Sequence, residues 1–150
     1  MTAADRQLEK FLSRYTPELR ALGADVVRAL SERYPTAVRL VYDNYNALVV
    51  GFGATERAGD AFISIALYPR WINLFFLQGA SLSDPKGILE GDGKIVRRVT
   101  LESAADLDRA PLRAMLGQAL RKAPVPLPKE GEGYTVIKSV SAKQRSRKPA

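Results

Sequence analysis

The chain of 150 residues has no cysteine and no histidine. These two absences remove the usual structural zinc sites, a cysteine nucleophile and a Ser-His-Asp triad. They also rule out disulfides, which fits a reducing compartment. Acid–base or metal chemistry is left to carboxylates, lysines, tyrosines and water, groups that suit hard cations or a glycosidase-like carboxylate pair. Also missing is any apolar run long enough to span a bilayer, and Met1-Thr-Ala-Ala-Asp-Arg-Gln lacks the basic and then apolar pattern of a signal peptide. The expectation is a cytoplasmic protein with no membrane partner.

What is present is ordinary for a folded domain: 46% apolar residues, 26% charged residues and a length that supports one core. The net charge of +7 is unevenly placed. Lys138, Lys143, Arg145, Arg147 and Lys148 fall in the last thirteen residues with no acidic partner, leaving residues 1–137 at only +2. Residues 141–150 have no apolar periodicity to fold around. The expected organisation is one domain over 1–140 and a disordered basic tail over 141–150. Counterion release would give such a tail weak, salt-sensitive affinity for polyanions.

Leu8, Phe11, Leu12 and Tyr15 follow helical spacing behind a capping box at Thr2 and Asp5. Thr16-Pro17-Glu18 reads as N-cap, first-turn proline and acidic first turn of a second helix, whose stripe of Leu19, Leu22, Val26, Ala29, Leu30 and Tyr34 runs to Pro35. Short strands follow: Val38 to Tyr42 with Leu48 to Phe52 as one hairpin, Phe62 to Leu67 with Trp71 to Leu77 as a second, and Ile95 to Leu101 as a fifth strand. Their short connections favour antiparallel pairing. Leu112, Met115, Leu116, Ala119 and Leu120 mark a late helix ended by Pro124, Pro126 and Pro128, after which Tyr134 to Val140 alternates as a sixth, edge strand. The predicted fold class is α+β in two layers, with the N-terminal helices and one late helix packed on one face of a largely antiparallel five- or six-stranded sheet.

The stretch from Gly79 to Lys94 is rich in glycine yet carries the aliphatic pair Ile88 and Leu89. That pair serves as an anchor, so the loop is expected to fold back over the sheet and border a cleft. Its glycines do not follow the phosphate-loop spacing, because Gly87 and Gly93 are separated by five residues and Lys94 precedes Ile95. Gly51-Phe-Gly53 lacks the third glycine of a dinucleotide turn. Asp84, Glu90 and Asp92 read either as a cation or acid–base cluster or as local acceptors of loop N–H groups. Arg97 and Arg98 point to opposite faces of their strand, so at most one serves the cleft. Tyr42, Tyr45, Trp71, Phe75 and Phe76 read mostly as core. An asparagine inside the apolar Trp71 strand needs water or partners, and a cleft supplies both. The predicted ligand site is therefore Asn44, Asn46, Trp71, Asn73, Asp84, Lys94 and Arg97 around one concave patch. The competing reading is that each is separately solvated.

Taken together, Val41-Tyr-Asp-Asn-Tyr-Asn-Ala-Leu48, Trp71-Ile-Asn-Leu-Phe-Phe-Leu-Gln-Gly79, Leu82-Ser-Asp-Pro-Lys-Gly-Ile-Leu-Glu-Gly-Asp-Gly-Lys94 and Arg98-Val-Thr-Leu101 resemble the YdhG-like family of small bacterial domains. The resemblance covers most of residues 35–123 and returns at Ile137-Lys-Ser-Val-Ser-Ala-Lys-Gln-Arg145. It implies a two-layer α+β fold. Most members of the family have no assigned function, and one branch is described as a frataxin-like intracellular iron chaperone. On that branch ferrous iron would be the cargo, with Asp5 and Glu9 as the metal residues. Here Asp5, Glu9, Glu18, Asp25 and Glu32 are interleaved with Arg6, Lys10, Arg14, Arg20, Arg28 and Arg33, and such cations weaken a hard-cation site. The leading expectation is a non-enzymatic domain that binds a small ligand or a protein in a cleft beside the Gly79–Lys94 loop, with no cofactor. Iron chaperoning and weak nucleic-acid binding through the tail are the alternatives, and a carboxylate-dependent enzyme ranks last.

Overall fold

Two threonines start the N-terminal helices in the computed structural model, which describes residues 1–150. The Thr2 hydroxyl accepts from the Asp5 amide while the Asp5 carboxylate accepts from the Thr2 amide, closing the first turn of α1 (Ala3–Leu12) from both sides. Thr16 caps α2 (Pro17–Arg33), accepting from the Leu19 amide, and Pro17 sits in the first turn where its missing N–H costs nothing. The strands are β1 (Val38–Asp43), β2 (Leu48–Gly53), β3 (Ala61–Leu67), β4 (Ile72–Phe76), β5 (Arg97–Leu101) and β6 (Thr135–Val140), with α3 (Ala110–Arg121) between the last two.

They form one open, six-stranded sheet in the order β5-β4-β3-β2-β1-β6. β1 to β5 make an antiparallel meander, as their short connections require. β6 departs from that pattern and lies parallel to β1, so the sheet is mixed. The cause is the length of the final connection: α3 and the proline-rich segment after it carry the chain back before the last strand starts, as a parallel pair demands.

Register assigns each strand residue to a face. Val41, Val50, Ile65, Leu74 and Val99 are successive cross-strand partners, and all belong to the 28-residue core beneath the helices. The alternate positions give two rows on the opposite face: Tyr42, Val49, Ala66, Asn73 and Thr100, then Leu40, Gly51, Ser64, Phe75 and Arg98. All three helices bury their stripes in the core, so that second face has no helix over it.

Tyrosine hydroxyls tie the layers together. Tyr15 donates to the Leu67 carbonyl at 2.7 Å and accepts from the Leu48 amide at 3.2 Å. Tyr34 packs edge-on to Phe62 at 5.1 Å and donates to the Leu116 carbonyl at 3.3 Å. Burial pushes the Tyr34 phenol up to about 12, in spite of the Arg33 charge beside it. A raised native pKa means that the neutral phenol's contribution is complete below the unfolded value of 10.0 and is lost as the pH rises through about 12. Resistance to chemical denaturation should therefore weaken across that alkaline window, and Tyr34→Phe should flatten part of the loss; an unchanged pH profile in the variant would contradict it.

The C-terminal segment differs from the expectation of a disordered tail. The Ser141 amide donates to the Asp43 carbonyl at 2.8 Å, and the Arg145 amide donates to the Tyr45 carbonyl at 2.9 Å. Asp43, only 1% exposed, is met by Arg147 Nη2 at 2.8 Å, Gln144 Nε2 at 2.9 Å and Arg14 Nη1 at 3.1 Å. Arg147 is itself 4% exposed, and its Nε has no partner within the chain. A carboxylate at the buried end of β1 requires counter-charge, and the tail delivers it. Composition alone shows a solvated basic run, because the partner that draws it in lies about a hundred positions earlier.

Candidate functional site

The Gly79–Lys94 loop is held by bonds that consume several of its polar groups. Asp84 accepts from the Ile88 and Leu89 amides, both at 2.9 Å, and Gln118 of α3 grips the Ser83 amide at 2.9 Å and its carbonyl at 3.1 Å. Arg97 Nη1 donates to the Gly93 and Val96 carbonyls at 2.5 and 2.8 Å. Gly79 must stay bare where the loop closes, since a Cβ there would lie 2.7 Å from the Arg97 amide nitrogen. Ile88 and Leu89 are half-buried against the edge of the core. For Leu89→Ala this partial burial puts the expected stability loss at about 1–2 kcal/mol, below the roughly 2–5 kcal/mol of a fully buried leucine. A denaturation measurement showing no loss would mean that the pair does not anchor the loop.

After Leu89 the loop crosses the edge of the sheet. Glu90 and Arg98 exchange backbone hydrogen bonds, both at 2.8 Å, in an isolated antiparallel bridge, so their side chains emerge together on the helix-free face. There they join Tyr68, Trp71, Asn73, Phe75 and Thr100 around a concavity of about 630 Å³. Tyr68 and Trp71 flank the tight turn between β3 and β4 and stack at 5.2 Å with planes 24° apart, leaving the only tryptophan 44% exposed. Asn73 and Phe75 follow at alternate positions of β4, opposite Thr100 and Arg98 of β5. The Thr100 hydroxyl donates to Asn73 Oδ1 at 2.9 Å and fixes the amide. Asn73 is 7% exposed, yet its amide nitrogen keeps contact with the surface and has no bond within the chain. A second concavity of about 650 Å³ lies on the other side of Trp71 and Thr100, bordered by Glu18, Arg70, Glu102 and Pro149.

Of the residues expected at the site, only Trp71 and Asn73 line this concavity. Asn44 and Asn46 are exposed on the turn between β1 and β2, where the Asn44 carbonyl accepts from Arg147. Asp84 opens onto a separate hollow of about 260 Å³ against α3, with Pro85, Lys86 and Gln118. Lys94 is exposed at the loop tip, and Arg97 lies across from Phe76 on the helix side. The seven residues therefore do not form one patch. The reason is the two-residue period of β4: it sends Asn73 to the face opposite the one on which Ile88 and Leu89 anchor the loop. Tyr68, Phe75, Glu90, Arg98 and Thr100 are the residues that sequence reasoning missed. The aromatic assignments change with them: Phe76 is core, Tyr42 and Phe75 are half-buried on the open face, and Tyr45 and Trp71 are exposed.

The carboxylates of α1 do not gather a ferrous site. Asp5 is taken up in the helix cap and accepts from the Thr135 hydroxyl at 2.6 Å, while Glu9 faces solvent, and no three carboxylates in the chain lie close enough to share a cation. Burial alone would push the Asp5 carboxyl up, but the hydrogen bonds from Thr135 and Thr2, with the Arg39 charge, hold it below its ordinary value.

Comparison of the chain with family models, with curated proteins and with solved structures gives no match.

Proposed function

We propose that this is a non-enzymatic, YdhG-like binding domain that takes a small planar ligand on its helix-free sheet face, where the Gly79–Lys94 loop crosses the edge at Glu90. The observation that supports this reading is Asn73: a nine-tenths buried amide, oriented by Thr100, whose nitrogen reaches the surface on the strand face that also carries exposed Trp71 and half-buried Phe75. Apolar walls with a few fixed polar groups are the usual composition of a ligand site. Glu90 is the one carboxylate lining the concavity, so a carboxylate pair for acid–base work is not assembled there.

Saturation-transfer NMR with benzimidazole and quinazolinone as planar probes tests the reading. Transfer from the wild-type chain should disappear in Trp71→Ala and in Asn73→Ala and persist in Asp84→Asn. Transfer that survives both of the first two substitutions, or none from the wild-type chain, would overturn the proposed site.

A further inference from the structure

We infer that the solvent face of α3 docks the sugar–phosphate backbone of a nucleic-acid duplex without reading its sequence, at a surface separate from the concavity beside Asn73. Charge is segregated on this helix. Residues 109–129 hold Arg109, Arg113, Arg121, Lys122 and Lys129 and no carboxylate. In the C-terminal segment, by contrast, Arg147 is spent on Asp43, Arg145 lies over the Tyr45 ring at 5.6 Å and Lys138 donates to the Glu56 carbonyl. Arg113 and Arg121 are exposed, form no ion pair and border a hollow of about 690 Å³ floored by Ala110, Ala114 and Gly117. The smaller hollow that contains Lys86 shares Ala110 and Ala114 with it, so a third unpaired cation flanks the same trough. The carboxylates at its margins are already satisfied, Asp108 by Arg33 at 2.9 Å and Asp84 by the Ile88 and Leu89 amides.

Gly117 is a second mark of the same surface. Glycine inside a helix costs stability relative to alanine, yet the fold does not require it here: a Cβ would meet only Arg121 Nη1, at an ordinary contact distance of 3.5 Å. The bare position lets that guanidinium lie along the floor and leaves the helix open to close approach. What the trough offers and lacks identifies the occupant. Unpaired guanidiniums suit phosphodiester oxygens, which accept two parallel N–H bonds from each. Residues 102–133 include no aromatic side chain, so the unstacked bases of a single strand have no platform. No large apolar side chain lines the larger hollow, so it lacks the anchor that a membrane-lying helix or the centre of a protein interface needs. Phosphate contacts of this kind position a duplex and carry no sequence information.

The test is fluorescence anisotropy of a labelled, mixed-sequence DNA duplex titrated with the full chain over a series of salt concentrations. Phosphate contacts from Arg113, Arg121 and Lys86 set an expected slope of about −2.7 in log affinity against log salt. Arg113→Ala and Arg121→Ala should each make the slope shallower by about 0.9 and weaken binding several-fold, and a duplex of unrelated sequence should bind equally well. Gly117→Glu places a carboxylate four residues from each of the two arginines. It should raise the thermal midpoint through those pairs while abolishing binding, a combination that a merely structural role for α3 would not produce. Lys143→Ala with Lys148→Ala should leave affinity and slope unchanged. A wild-type chain that binds no duplex, a slope untouched by the two arginine substitutions, or a loss that follows Lys143 and Lys148 instead would overturn the inference. So would tighter binding of a single strand, or displacement of the duplex by polyglutamate or phosphatidylserine vesicles at equal charge concentration, which would identify an acidic protein or a membrane as the better partner.

Discussion

Removal of residues 141–150 should destabilise the chain by about 3 kcal/mol or more, because breaking a buried ion pair from one side leaves an uncompensated charge. Asp43 would lose Arg147 at 2.8 Å and Gln144 at 2.9 Å and keep only Arg14 at 3.1 Å, whose other side is open to solvent. Arg147→Ala alone should reproduce most of the loss. Asp43→Ala should cost a comparable amount, since it strands the Arg147 guanidinium, whose Nε already lacks a partner. Replacing both by apolar residues, Asp43→Leu with Arg147→Met, should recover much of the stability, because the pair's net contribution after desolvation is small. Urea denaturation of the four variants decides the matter: a tail deletion that unfolds at the wild-type midpoint would return residues 141–150 to the solvated state that their composition suggests.

Gly133→Ala should cost about 3 kcal/mol, at the upper end for overpacking. A Cβ at Gly133 would stand 2.0 Å from the Ala37 carbonyl oxygen and 2.9 Å from its carbon, and backbone atoms cannot swing aside as a side chain does. Its amide donates to the Pro35 carbonyl at 2.7 Å, so the clash falls where the chain is fastened beside β1 before β6 begins. Gly131 is the control. Its φ of +99° is unfavourable for other residues, but a Cβ there meets nothing within 4 Å, so Gly131→Ala should cost only about 1 kcal/mol. Hydrogen exchange should show the β6 amides losing protection in the Gly133 variant and keeping it in the Gly131 variant; equal protection in both would mean that this close approach does not fix the last strand.

Much of the fold was legible because its signals are local. Thr2 with Asp5, and Thr16 with Pro17, announce helix starts that need no tertiary information, and the stripe from Leu19 to Tyr34 runs to within a residue of where α2 ends. The six strands were likewise readable from short alternating segments. What could not be read was pairing at a distance. The parallel placement of β6 depends on the crossover after α3, and the burial of Arg147 depends on Asp43. The candidate site shows the same division. Asn73 stood out as a polar residue in an apolar strand, and Trp71 beside it, but which face they shared, and with what, is a matter of register. Arg98 is the cross-strand neighbour of Phe75, whereas Arg97 opposes Phe76, and one residue of phase decides which arginine borders the concavity. Glu90 reaches the site only because the loop makes a single bridge to β5.

The most direct test is an amide chemical-shift map of the full, isotopically labelled chain during titration with benzimidazole. Perturbations should centre on Trp71, Asn73, Phe75, Arg98 and Thr100, with the Trp71 indole N–H among the largest, and should leave Asp84, Lys86 and Gln118 unmoved. Perturbations that centre instead on the hollow between Asp84 and α3, with β4 and β5 silent, would place the ligand on the helix side and contradict a site on the open face of the sheet.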